Sequence, residues 1–183
     1  MRRILVVQTA FLGDIVLTTP LLAEIKRVQP EVSLTVLTTP LGRAVLDGHP
    51  SVDAVIAYDK KGSERGSLGL LRVARALRRE RFDAVIAAQR SSRTGLLVRG
   101  SGAPLRVGFA GAAGAWAYTK RVVWNGARHA VHRYLSLAEP FGGDPVLAGA
   151  QPRLAVSDAA RANVNELLDA DGVERDARIL AVS

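Results

Sequence analysis

With 183 residues, 48% of them apolar and 23% charged, the chain can build one hydrophobic core, or one and a fraction, and falls outside the disordered class. It holds no cysteine, which excludes disulfides and thiolate metal sites, and no run reaches the roughly 18 apolar residues of a membrane span. The net charge of +8, from 25 Lys and Arg against 17 Asp and Glu, favours anionic partners such as phosphates and acidic sugars, whereas aromatics at 5% that never interleave with basic residues argue against a nucleic-acid surface.

Arg2 and Arg3 precede an apolar run, but Gln8 and Asp14 interrupt it before any cleavage signal, so the start does not read as a leader and the cytoplasm is the expected compartment. Ile4, Leu5, Val6 and Val7 form an apolar run of the kind found in strands buried on both faces. The turn that follows, Gln8 to Asp14, carries neither GxGxxG nor GxxxxGK[ST], so neither the dinucleotide nor the P-loop fingerprint applies. What it does carry is Gly13-Asp14 at the expected carboxyl edge of a parallel sheet, where ligands of such sheets gather.

Ile15, Leu22, Ile25 and Val28 have helical spacing, and Pro20 leaves two readings open. Either the helix starts at Asp14 and the proline deletes the bond to the carbonyl of Val16, or Thr19 caps and Pro20 is the first helical residue. Strands are expected over Ser33–Leu37 and Val52–Tyr58, with a short helix over Leu41–Leu46 between them. Lys60 to Gly69 reads as a loop, and Leu70, Leu71, Ala74 and Leu77 as a helical stripe backed by a solvated face of Arg72, Arg75, Arg78 and Arg79. A strand over Asp83–Ala88 delivers Gln89-Arg90-Ser91-Ser92 to the same edge as Asp14, and Ser92 or Thr94 can cap the next helix. Leu105–Phe109 is the fifth strand, and Gly108 to Gly114 specifies no conformation. His129 to Ala138 is read as a helix ended by Gly142-Gly143, with His129 and Arg133 one turn apart on one face. His129 and His132 have no third ligand in view, so no metal site is assigned. A helix follows from Ser157 to Leu168, and Arg178 to Ser183 has the pattern of a new buried strand. Strands alternating with helices make the fold class α/β with a Rossmann-like parallel sheet.

The stretches ILVVQTAFLGDIVLTTPLL, FDAVIAAQRSSRTGLL, RVGF and HAVHRYLSL, in this order across the chain, resemble the N-terminal half of the family 9 glycosyltransferases that act as heptosyltransferases. The resemblance implies the N-terminal domain of a GT-B fold over residues 1–177, with 178–183 as the first strand of a C-terminal nucleotide-sugar domain that is cut away. It implies inverting transfer of heptose from ADP-heptose to a Kdo-containing lipid A or inner-core acceptor of lipopolysaccharide, without metal or other cofactor, by a cytoplasmic enzyme peripheral to the inner membrane. Asp14 matches the family's base. Lys60, Lys61, Lys120, Arg121 and Arg133 match its basic acceptor-binding positions. Gln89 matches its loop glutamine, and Thr9, Gly13, Arg90, Ser91 and His129 complete the candidate substrate-binding set. The chain departs from common family residues at Ala87 and Arg90. Two other readings stand beside this one, a family 9 enzyme with another sugar or acceptor and a non-catalytic α/β module for anionic saccharides. From the residues alone Asp14 serves equally as a helix cap or as a carboxylate that accepts a hydroxyl proton.

Overall fold

The computed structural model describes residues 1–147, 149–173 and 177–179. Six parallel strands, β1 (Arg3–Val7), β2 (Ser33–Thr38), β3 (Ala54–Ala57), β4 (Ala84–Ala87), β5 (Leu105–Phe109) and β6 (Lys120–Val122), form one sheet in the order β3-β2-β1-β4-β5-β6. The two central strands carry the most continuous apolar runs, because each is covered on both faces. Ile4 to Val7 and Ala84 to Ala87 have no exposed surface.

The helices are α1 (Leu12–Val28), α2 (Pro40–Leu46), α3 (Gly66–Arg79), α4 (Ser92–Gly100), α5 (Ala130–Leu135) and α6 (Asp158–Ala170). α1 packs with α2, α5 and the 3₁₀ turn Ser136–Phe141, whereas α3 packs with α4, so two helical layers sandwich the sheet. Ile15, Leu21, Leu22 and Ile25 of α1, and Val73, Leu77, Leu97 and Val98 of α3 and α4, are buried in the core. At about 25 cal/mol per Å² of apolar area removed from water, that burial is the chief stabilising contribution.

The strand order reverses between β1 and β4, which are adjacent in register, Val7 beside Ala87. In an open α/β sheet such a reversal sends the connections on its two sides to opposite faces and leaves a crevice beyond the carboxyl ends of the two strands. The segments that cap this crevice are the β1–α1 turn and the β4–α4 turn.

The structure resolves the two readings of Pro20. α1 runs from Leu12 with Pro20 inside it, and the Val16 carbonyl that the proline leaves free accepts a hydrogen bond from the Thr19 hydroxyl at 2.8 Å. One neighbouring hydroxyl therefore offsets part of the cost of an interior proline. Other expectations are corrected. The cap of α4 is Ser91, whose Oγ accepts from the Thr94 amide at 3.1 Å, rather than Ser92 or Thr94. The 60–69 loop is shorter than expected, because α3 begins at Gly66. His129 is the N-cap of α5, its Nδ1 accepting from the Val131 amide, so it does not share a helical face with Arg133. Among the described residues one strand was not expected, β6. β6 escapes sequence reading because it is three residues long on the sheet edge, with Lys120 and Arg121 exposed, and so lacks an apolar run. α6 is capped by Ser157, whose Oγ accepts from the Ala160 amide at 3.1 Å, and buries none of its residues. Of the strand expected at 178–183, residues 178 and 179 show no regular structure and the remainder lies outside the described residues. No helix among the described residues is long and apolar enough to cross a membrane.

Candidate active site

Asp14 occupies the first turn of α1, behind the carboxyl end of β1. Phe11 stands at the N-cap position and makes no side-chain capping bond, so the carboxylate of Asp14 is not spent as a cap. Instead its Oδ1 accepts a hydrogen bond from the Tyr134 hydroxyl of α5 at 2.8 Å, across 120 residues of sequence. Its backbone carbonyl accepts from the Thr18 hydroxyl at 2.6 Å. An anionic side chain is favoured at a helix amino terminus, where the backbone amides carry partial positive charge. Gly13, beside it, is exposed, and a methyl group added there would meet nothing within 4 Å. Packing does not demand glycine at this position. Its smallness leaves open space next to the carboxylate.

The crevice between β1 and β4 is closed by side chains from both turns. Gln89 Oε1 accepts from the hydroxyl of Thr9 at 2.6 Å and from that of Thr94 at 3.2 Å. Thr9 is 4% exposed, and its carbonyl also accepts from Lys60 Nζ at 2.5 Å. Thr9 thus ties together the segments that follow β1, β3 and β4, so its polar groups serve the scaffold. Ser91 does the same as the cap of α4. Gln89, its oxygen held by these two hydroxyls, also lines a cavity.

That cavity, about 610 Å³, opens beyond the carboxyl ends of β1 to β4 and is lined by Phe11, Leu12, Leu41, Tyr58, Lys60 and Lys61 among others. Its walls are mixed. Phe11 and Leu41 are exposed apolar side chains, Tyr58 is fully buried with its hydroxyl unpartnered, and the two lysines supply positive charge. Burial pushes the Lys60 ammonium below its ordinary pKa, and the nearby charges of Lys61 and Arg93 push it the same way. An anion in the cavity would relieve both effects, since it would neutralise the repulsion and solvate the ammonium. Burial likewise raises the Tyr58 phenol.

A second cavity, about 270 Å³, lies beyond β6 and is lined by Asn125, Arg128, His132 and Arg133 together with Val122, Val123, Ser136 and Glu139. Arg133 donates to the Arg128 carbonyl at 3.0 Å and sits 4.7 Å from the centre of the Trp124 ring. Arg90 approaches the same ring at 4.4 Å and donates to the Gly111 carbonyl at 3.2 Å. Phe109 braces that indole edge to face, with ring centres 4.8 Å apart. Two guanidiniums far apart in sequence, Arg90 from the β4–α4 turn and Arg133 from α5, are therefore held by one indole. No carboxylate among the described residues forms an ion pair with either.

The structure thus divides the candidate residues. Lys60, Lys61 and Gln89 line the first cavity, Arg133 lines the second, and Arg90 lies against Trp124. Lys120 and Arg121 form part of the edge strand β6 and line neither cavity. Arg121 Nε donates to the Ala115 carbonyl. Sequence reasoning missed Tyr134 and Trp124. Tyr134 reads as one more apolar member of the α5 stripe with Val131 and Leu135, and nothing local signals that its hydroxyl meets Asp14. Nothing local marks Trp124, because its contacts with Arg90 and Arg133 bring together segments distant in sequence.

Comparison with known proteins follows the same lines. The model of the family described as glycosyltransferase family 9 (heptosyltransferase) matches residues 70–180. Among solved structures, a family 9 glycosyltransferase from Veillonella parvula superimposes with a TM-score of 0.86 at 26% identity, covering 94% of this chain and 51% of that one. Escherichia coli ADP-heptose heptosyltransferase II superimposes at 0.72 with 20% identity, over 96% of this chain and 52% of that one. E. coli heptosyltransferase WaaC, solved with ADP-2-deoxy-2-fluoro heptose, gives 0.70 with 20% identity over 81% and 51%. The chain spans about half the length of these structures. No curated protein matches it in sequence.

Proposed function

From the premise that the chain belongs to glycosyltransferase family 9, we propose that it is the acceptor-binding half of an inverting heptosyltransferase, with ADP-heptose as donor and a Kdo-bearing lipopolysaccharide inner core as acceptor. The observation that carries the proposal is Asp14. Its carboxylate stands at the carboxyl edge of the sheet, in a helix first turn beside open space, with one oxygen held by Tyr134. In such a transfer the acceptor hydroxyl oxygen forms a bond to the anomeric carbon as the bond from that carbon to the ADP phosphate oxygen breaks. The hydroxyl proton passes to Asp14 Oδ2, and ADP departs carrying the bonding pair. A carboxylate within hydrogen-bonding distance of the hydroxyl can take that proton as the new bond develops.

Lys60 and Lys61, and separately Arg133, are the groups suited to the acceptor's carboxylates and phosphates, lysine as a point charge and arginine through its planar fork. The apolar wall of Phe11 and Leu41 suits the less polar face of a sugar ring or its lipid-proximal portion. The donor site belongs to a second half, which in this reading follows the present chain.

Calorimetry on the 183-residue chain tests the division of labour. The chain is expected to bind a Kdo-bearing acceptor, to bind ADP-heptose weakly or not at all, and to yield no product by mass spectrometry, because in-line positioning of the donor supplies much of the rate. Tight ADP-heptose binding or robust transfer by this chain would overturn the reading. Saccharide binding by a full-length protein that transfers nothing would favour the non-catalytic module.

A further inference from the structure

The hydrogen bond between α5 and α1 points to a role for Tyr134: we infer that its hydroxyl is a positioning group, fixing Asp14 Oδ1 so that Oδ2 is the oxygen presented to the acceptor. This rests on the proposed role of Asp14 as base. Tyr134 is 7% exposed and belongs to a six-residue helix set by the His129 cap at one end and continued at the other by the 3₁₀ turn Ser136–Phe141. The ring is therefore fixed by packing before the hydroxyl makes any bond. Burial, and then the hydrogen bond to Asp14 with its charge, raise the Tyr134 phenol well above its ordinary range, so it stays a donor wherever the enzyme works.

Geometry supports the same role. A carboxylate in the first turn of an exposed helix end has several accessible rotamers, and only some turn an oxygen toward a bound hydroxyl. The bond from Tyr134 at 2.8 Å selects among them, and no other described group bonds either oxygen of Asp14. Because Tyr134 comes from α5 and Asp14 from α1, the constraint also links the base to the segment that carries Arg133. Tyr134 and Arg133 are chain neighbours that serve different contacts, one reaching Asp14 and the other Trp124.

The test is Tyr134→Phe, which keeps the ring and removes one oxygen. In the 183-residue chain, three-bond couplings should report one Asp14 side-chain rotamer in the wild type and averaging in the variant, with acceptor affinity unchanged by calorimetry. In the full-length transferase the variant should lower kcat about tenfold with acceptor KM within about twofold, as expected for loss of an interaction that matters only in the transition state. In an Asp14→Asn background the same substitution should cost nothing further, since its effect passes through the carboxylate. An equal drop in both backgrounds, a raised KM at constant kcat, or an Asp14 rotamer that does not change would overturn the inference. Asp14→Asn with near wild-type kcat would instead overturn the base assignment, a separate result. If the Phe variant melts early, 3-fluorotyrosine at position 134, which preserves ring and donor, should restore wild-type kcat and rotamer, and failure to do so would also count against the role.

Discussion

Replacing Asp14 by Asn in the full-length enzyme is expected to lower kcat by roughly 10²- to 10⁴-fold while acceptor binding stays near wild type, because the amide keeps the shape and loses the ability to take a proton. At the upper end this corresponds to about 5.5 kcal/mol of transition-state stabilisation. The fold should survive. Asp14 makes no capping bond, and the amide oxygen of Asn can still accept from Tyr134. Steady-state kinetics with the product verified by mass spectrometry decides it, and turnover within a few-fold of wild type would remove Asp14 from the chemistry.

The second large effect is expected at the charged walls. Lys60 sits among Lys61 and Arg93 and is partly desolvated, so its positive charge is costly without an anion. Lys60→Ala should weaken acceptor binding by about 1.5 to 3 kcal/mol, roughly ten- to 150-fold, and Arg133→Ala by a similar amount, the usual range for losing one charge-assisted contact. Both losses should shrink as salt is raised, because screening weakens the wild-type contacts first. Lys120→Ala serves as the comparison, since Lys120 lines neither cavity and should change affinity little. Isothermal titration at two ionic strengths measures all three. If Lys60 and Arg133 both prove neutral at low salt, the anion is held elsewhere.

The sequence shows the centre of this fold more clearly than its periphery, for a physical reason. β1 and β4 are buried on both faces, so every residue along Ile4–Val7 and Ala84–Ala87 must be apolar, and the pattern is explicit. β6 has only Val122 buried and gains its place by pairing with β5 in register, a non-local fact. Capping behaves similarly. Ser91 and Ser92 are both competent caps by composition, and only the path of the chain out of β4 selects the first. Pro20 could not be placed from propensity alone, because the energy that retains it inside α1 comes from the Thr19 hydroxyl and from the packing of Leu21, Leu22 and Ile25.

For the site, the sequence pointed to Asp14 and to the turn carrying Gln89, since both follow strands whose carboxyl edge is the expected place for a ligand. It could not show that Thr9 and Gln89 meet across the crevice at 2.6 Å, nor that Tyr134 reaches Asp14. Contacts between residues 80 or 120 positions apart leave no local periodicity to read. The basic residues illustrate the converse. Five of them looked equivalent as charges near strand ends, yet the fold places Lys60 and Lys61 at one cavity, Arg133 at another, and Lys120 and Arg121 on an edge strand.

The most direct measurement of the central claim is a structure of this chain with a Kdo-bearing inner-core fragment bound. The account predicts an acceptor hydroxyl oxygen about 2.6 to 3.2 Å from Asp14 Oδ2, with Oδ1 still bonded to Tyr134 and an anionic group of the sugar on Lys60 or Arg133. A well-ordered fragment bound elsewhere, with no hydroxyl in reach of Asp14, would contradict it.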